Sequence, residues 1–189
     1  MDKRINFSQL FASSGVLMLL AFGLSLLTGL PHSVGHVSFN VVLVGAILGA
    51  ILFVVMAVVG FFLQRYVYSY SGLMRELRQL FKSLNWPTII VISIMAGVSE
   101  ELLFRGVLQS YLIEKSSVLL GIFVSSALFG LMHFYNKLYI LLTFLVGLFL
   151  GWLYYFTGSL LFVVVLHAVY DVLAFGALVK FPDILGLEE

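Results

Sequence analysis

Apolar residues run almost unbroken through six stretches of the chain, at about residues 10–30, 40–63, 88–112, 117–134, 138–156 and 159–179. Each is close to the roughly 20 residues that a helix needs to cross a bilayer. Polar residues fall in short clusters between them. Tyr135-Asn136-Lys137 separates the fourth and fifth stretches as a tight helical hairpin, and Thr157-Gly158 marks the turn between the fifth and sixth. The pattern predicts an all-α fold, a polytopic membrane bundle of about six transmembrane helices. The third stretch is interrupted by Glu100, Glu101 and Arg105, so hydropathy alone undercounts it.

Residues 64–86 break the pattern. Leu73, Leu77, Leu80 and Phe81 recur at helical spacing with charges between them, after a cluster of tyrosines. This predicts an amphipathic helix on the inner leaflet. A role in substrate docking and a role as a linker that only sets topology are both open. Asn85-Trp86-Pro87 supplies an interfacial tryptophan and a helix-start proline for the third span. We therefore divide the chain into 1–87, two N-terminal spans plus the surface helix, and 88–189, a four-helix core.

Charge sets the expected orientation. Lys3, Arg4, Arg65, Arg75, Arg78, Lys82, Lys137 and Lys180 all fall on one side if six spans alternate, against Lys115 on the other. Positive-inside bias then places both termini in the cytoplasm of a plasma membrane. The first apolar run exceeds a signal-peptide core and is read as a retained span. Composition agrees, with 62% hydrophobic and 10% charged residues. A net charge of +1 gives no reason to expect nucleic acid as a partner. With no cysteine in the chain, disulfides, thiolate metal sites and cysteine nucleophiles are excluded.

Six ionisable residues remain at membrane depth: Glu100, Glu101, Arg105, His133, His167 and Asp171. A charge at a bilayer centre costs about 2.5–3.5 kcal/mol on insertion scales, so such groups face the bundle interior and need partners. Glu101 and Arg105 are four apart and share a helix face, which predicts an ion pair. Glu100 points about 100° away and stays free for general acid or base work. His167 and Asp171 also share a face, able to bond each other or to converge on a water, a metal or a substrate carbonyl. His133, at a helix end, reads as an interfacial anchor or as a catalytic group. His32 and His36, in a loop with proline and glycine, read as solvated. Gly45…Gly49 and Gly147…Gly151 are small-residue patterns that indicate helix packing.

Glu100-Glu101-Leu102-Leu103-Phe104-Arg105, Phe129-Gly130-Leu131-Met132-His133 and His167-Ala168-Val169-Tyr170-Asp171 resemble, in that order, the three motifs of the CAAX protease and bacteriocin-processing (CPBP) intramembrane proteases. The resemblance covers roughly residues 88–175. It implies an endopeptidase in a membrane cavity open toward the cytosol, acting on a peptide or protein that enters from the membrane or the cytosolic side. By that similarity Glu100 activates a water, His133 helps to hold and polarise it, and His167 and Asp171 stabilise the oxyanion, while Glu101 and Arg105 shape the site. No cofactor is favoured. Zinc on Glu100, His133 and His167 is the metal-dependent form of the same reading, although the compact His-Glu-x-x-His motif is absent. The resemblance further implies an amphipathic or lipidated peptide substrate in a bacterial membrane, with roles in bacteriocin immunity, peptide maturation or CAAX-type processing. Intramembrane Glu, His and Asp also mark proton-coupled transporters. All the buried charge here lies after residue 97, without the internal repeat such transporters show. A non-catalytic immunity or scaffold protein is the third reading.

Overall fold

A computed structural model describes residues 7–29, 35 and 37–187. Lys3, Arg4, His32 and His36 lie outside the described residues. The described chain is helical: α1 Phe7–Thr28, α2 Phe39–Tyr66, α3 Tyr68–Phe81, α4 Trp86–Glu101, a π-helical segment Leu102–Gln109, α5 Ser110–Lys115, α6 Val118–Met132, α7 Lys137–Thr157, α8 Leu160–Lys180 and a closing 3₁₀ turn Pro182–Leu185.

Local chemistry sets most of the starts. The side chains of Ser38, Asn85, Ser117, Asn136 and Ser159 each accept a hydrogen bond from the backbone three residues on, satisfying an orphan N–H of α2, α4, α6, α7 and α8. Gly158 ends α7 at φ +60°, a left-handed conformation that glycine adopts without Cβ strain. The expected hairpin at Tyr135-Asn136-Lys137 and the turn at Thr157-Gly158 are both present.

Five helical stretches are long and apolar enough to cross a membrane: Ser8–Thr28, Phe39–Tyr66, Trp86–Lys115, Lys137–Thr157 and Leu160–Lys180. The third is one 30-residue path through α4, the π-helical segment and α5, despite its charges. The fourth expected span differs. α6 has 15 residues, about 22 Å of helix against a hydrocarbon core of about 30 Å. It stops at Met132, before the polar hairpin. Large apolar side chains such as Leu19, Leu27, Val54 and Phe61 are exposed around α1 and α2, as lipid-facing helices require. The chain is a multi-pass membrane protein.

α8 is the hub, packing on α2, α4, α7 and α3. In its most apolar stretch 44% of residues are buried, against 11% for α2. The Trp86–Lys115 path is equally buried. The two helical paths that carry most of the ionisable groups are thus the inner ones. α2 seats on α8 through its glycine pair: a Cβ at Gly49 would lie 2.5 Å from the Leu166 carbonyl oxygen, and one at Gly45 would lie 3.0 Å from that of Phe162. Gly49→Ala is expected to cost about 1–3 kcal/mol by overpacking. Gly15→Ala, whose Cβ meets nothing within 4 Å, is the control in the same detergent denaturation series.

The amphipathic helix is realised as α3, because α2 runs on to Tyr66. Tyr70, Leu73 and Leu77 are its buried residues, and Leu73 and Leu77 cluster with Leu178 and Leu187. Its apolar face is therefore spent largely on the protein itself. Trp86 packs its ring over Gly176.

Candidate active site

The Trp86–Lys115 path brings the first three charged residues into the bundle. Glu101 and Arg105 are both fully buried, and the Arg105 guanidinium Nη1 donates to Glu101 Oε1 at 3.2 Å. The expected pair is present. Arg105 has two further partners. Nη2 donates to the Gly147 carbonyl of α7 at 3.1 Å, and the guanidinium lies 4.5 Å from the centroid of the Phe129 ring. A buried arginine needs several such partners, since a lone ion inside a protein costs several kcal/mol; its Nε is left without one.

The same Glu101 oxygen is also 2.7 Å from His167 Nδ1 on α8. Glu101 therefore bridges Arg105 and His167, a contact between positions 66 residues apart. The carboxylate accepts, so His167 Nδ1 carries the hydrogen. On the other edge of the ring, Nε2 is 3.5 Å from Asp171 Oδ2. That distance is longer than a normal hydrogen bond.

Glu100 faces elsewhere. Its Oε2 is buried without a hydrogen-bond partner, and the nearest charge partner is His133 Nε2 at 3.7 Å. His133 follows the last residue of α6, and its Nδ1 sits 2.9 Å from the Phe129 carbonyl oxygen. A carbonyl only accepts, so this bond fixes the hydrogen on Nδ1 and leaves Nε2 toward Glu100. The Phe129 ring packs against both histidines, with centroids 4.7 Å from His133 and 6.0 Å from His167. The structure thus brings together all six residues expected from the sequence, in two sets: Glu100 with His133, and Arg105–Glu101–His167–Asp171.

A zinc ion does not fit the proposed ligand set. His133 keeps Nε2 toward Glu100, but the two ring nitrogens of His167 face Glu101 and Asp171 rather than Glu100, so the third ligand is not presented. Among the described residues no three His, Asp or Glu side chains are grouped to hold a metal ion.

Three features escape the sequence reading. The π-helical segment begins right after Glu101; such turns are rare and concentrate at functional sites. Gln109 is fully buried within it, donating from Nε2 to the Gly151 carbonyl at 2.8 Å. Arg105 and Gln109 thus repeat at the four-residue step of Gly147 and Gly151, whose missing Cβ atoms leave their carbonyls approachable. That matching step was the available signal. The third feature is the contribution of α2 and α3 to the wall of the cavity, which measures about 180 Å³. His133, Tyr139, His167, Tyr170 and Asp171, with Tyr70 and Thr143, give the cavity polar groups, and aliphatic side chains and phenylalanines form the rest of its wall.

Residues 82–173, which contain every one of these ionisable groups, match the family described as type II CAAX prenyl endopeptidase Rce1-like. Over these residues, just under half of the chain, it is similar to that family. The Rce1-like segment begins just after α3 and ends in α8, two residues past Asp171. A curated relative, the uncharacterized protein YpbD of Bacillus subtilis (strain 168), is 29% identical over 111 residues, covering 57% of this chain and 53% of YpbD. The chain thus spans about half the length of that relative. No solved structure matches it significantly.

Proposed function

We propose that this protein is an intramembrane endopeptidase that cuts a membrane-associated peptide with water activated by Glu100. The observation that carries the reading is the Glu100–His133 pair. Glu100 Oε2 and His133 Nε2 are 3.7 Å apart, and Glu100 Oε2 has no hydrogen-bond partner. One water fits against both atoms, since a hydrogen bond of about 2.8 Å reaches each from a common point. Glu100 then takes a proton as the water oxygen attacks the scissile carbonyl. The proton passes to the leaving amine as the C–N bond breaks. His133, with its tautomer set by the Phe129 carbonyl, orients the water.

The opposite set serves the developing oxyanion. Glu101 holds His167 by Nδ1, so that Nε2 and Asp171 face the cavity. An Nε2–H donor held there stabilises charge in a water-poor site, where such donors are worth several kcal/mol. His167 donates from Nε2 only when both ring nitrogens carry hydrogen, and Glu101 and Asp171 balance that charge. Arg105 fixes Glu101 in turn. This division gives Glu101 the orienting role at Nδ1 and places Asp171 beside the donor.

The core is 88–189, in a bacterial plasma membrane with both termini cytoplasmic and the cavity reached from that side. The substrate is an amphipathic or lipidated peptide, in CAAX-type processing, peptide maturation or bacteriocin immunity.

Reconstituted protein is expected to cleave a quenched amphipathic peptide, and to keep its rate in excess EDTA because no step uses a metal. Loss of cleavage in EDTA that zinc restores would overturn the metal-free mechanism. Proton uptake by proteoliposomes without any cleavage would favour the transporter reading.

A further inference from the structure

The cavity is walled in good part by residues outside the Rce1-like segment. Phe53 and Ala57 come from α2, and Tyr70, Met74, Leu77 and Phe81 from α3. The four α3 positions step by four, three and four residues, which puts them on one helix face. The opposite face exposes Arg75, Glu76 and Gln79. The remaining lining includes His133, His167 and Asp171, so this wall bounds one space with those three groups, and Glu100 lies behind His133, 3.7 Å from its Nε2.

α3 is also held in place rather than loosely laid on the bundle. Tyr70 packs against α2 at Gly60, where a Cβ would collide with its hydroxyl. Tyr135 donates its phenolic hydrogen to Glu76 at 2.8 Å, tying α3 to the α6–α7 hairpin. Leu73 and Leu77 pack on Leu178 and Leu187. Gln64 at the end of α2 donates to the Leu185 carbonyl.

The volume indicates what the space accepts. An apolar cavity of about 150 Å³ takes one benzene ring, and this one measures about 180 Å³. We propose that α2 and α3 form a selectivity pocket that takes one bulky apolar side chain of the substrate, beside the bond to be cut. The family segment then carries the chemistry and the two preceding helices carry the choice of substrate. This rests on the endopeptidase reading above.

The test uses full-length Glu100→Gln protein in nanodiscs and one amphipathic peptide carrying Ala, Leu, Phe or Trp at a single position, with a farnesylated version alongside. Binding is read by fluorescence, and cleavage by the wild-type chain is followed in parallel. Phe is expected to bind about tenfold or more tighter than Ala, as apolar pockets discriminate by size. Ala57→Phe, which fills the pocket, is expected to erase that preference. Met74→Ala, which enlarges it, is expected to move the preference from Phe toward Trp. Opposite shifts from two variants cannot come from misfolding. Equal binding across the series, an unchanged preference in both variants, or a farnesyl chain chosen while Phe and Ala bind alike would overturn the proposal. Preference in binding with no cleavage of any peptide would leave the pocket standing and remove the endopeptidase reading.

Discussion

Glu100→Gln is expected to lower kcat/KM for a membrane peptide by about a thousandfold while the protein stays folded. General-base groups contribute about 10²–10⁴ in rate, and Gln keeps the size of the side chain while losing its basicity. Little stability should be lost, because Glu100 Oε2 has no hydrogen-bond partner to forfeit. His133→Ala should give a smaller loss than Glu100→Gln, since in the proposed mechanism His133 orients the water and does not take its proton. The check is steady-state cleavage together with thermal unfolding in the same detergent. A folded Glu100→Gln protein with wild-type kcat/KM would mean that another group activates the water.

Arg105→Met is expected to show the largest loss of stability. The substitution removes the ion pair to Glu101, the bond to the Gly147 carbonyl and the contact with the Phe129 ring. It leaves the fully buried Glu101 with His167 alone. Breaking a buried pair from one side costs about 3–5 kcal/mol, a large share of a typical total of about 5–15 kcal/mol. Removing both charges should be milder than the sum of the single changes. The double variant Arg105→Met with Glu101→Gln is therefore expected to unfold at a higher temperature than Arg105→Met. A strictly additive cycle would show that the two residues act independently.

The sequence made the helices legible because a bilayer leaves so few alternatives. Apolar runs of helical length, bounded by Ser or Asn caps at Ser38, Asn85 and Asn136, have one reading in lipid. The Glu101–Arg105 pair and the opposite aim of Glu100 followed from helix spacing alone. What stayed hidden is non-local. The Glu101–His167 bond joins α4 to α8, and spacing within one helix says nothing about which helix comes alongside. The π-helical turn at Leu102–Gln109 has no residue type that encodes it; it exists with Arg105 and Gln109 bonded to α7 carbonyls. The early stop of α6 was concealed because Met132 continues an apolar run into His133 and Phe134. The amphipathic pattern of α3 showed that one face must be buried, not that α8, the 3₁₀ turn and a cavity would do it.

The central claim is that Glu100 delivers water to a peptide carbonyl. Mass spectrometry of peptide products formed in H₂¹⁸O by the wild-type chain and by Glu100→Gln tests it most directly. One ¹⁸O atom is expected in the new carboxylate of the N-terminal product and none in the C-terminal product, both formed at a rate that collapses in Glu100→Gln. Uncut peptide with the wild-type chain, or labelled product from Glu100→Gln at the wild-type rate, would contradict it.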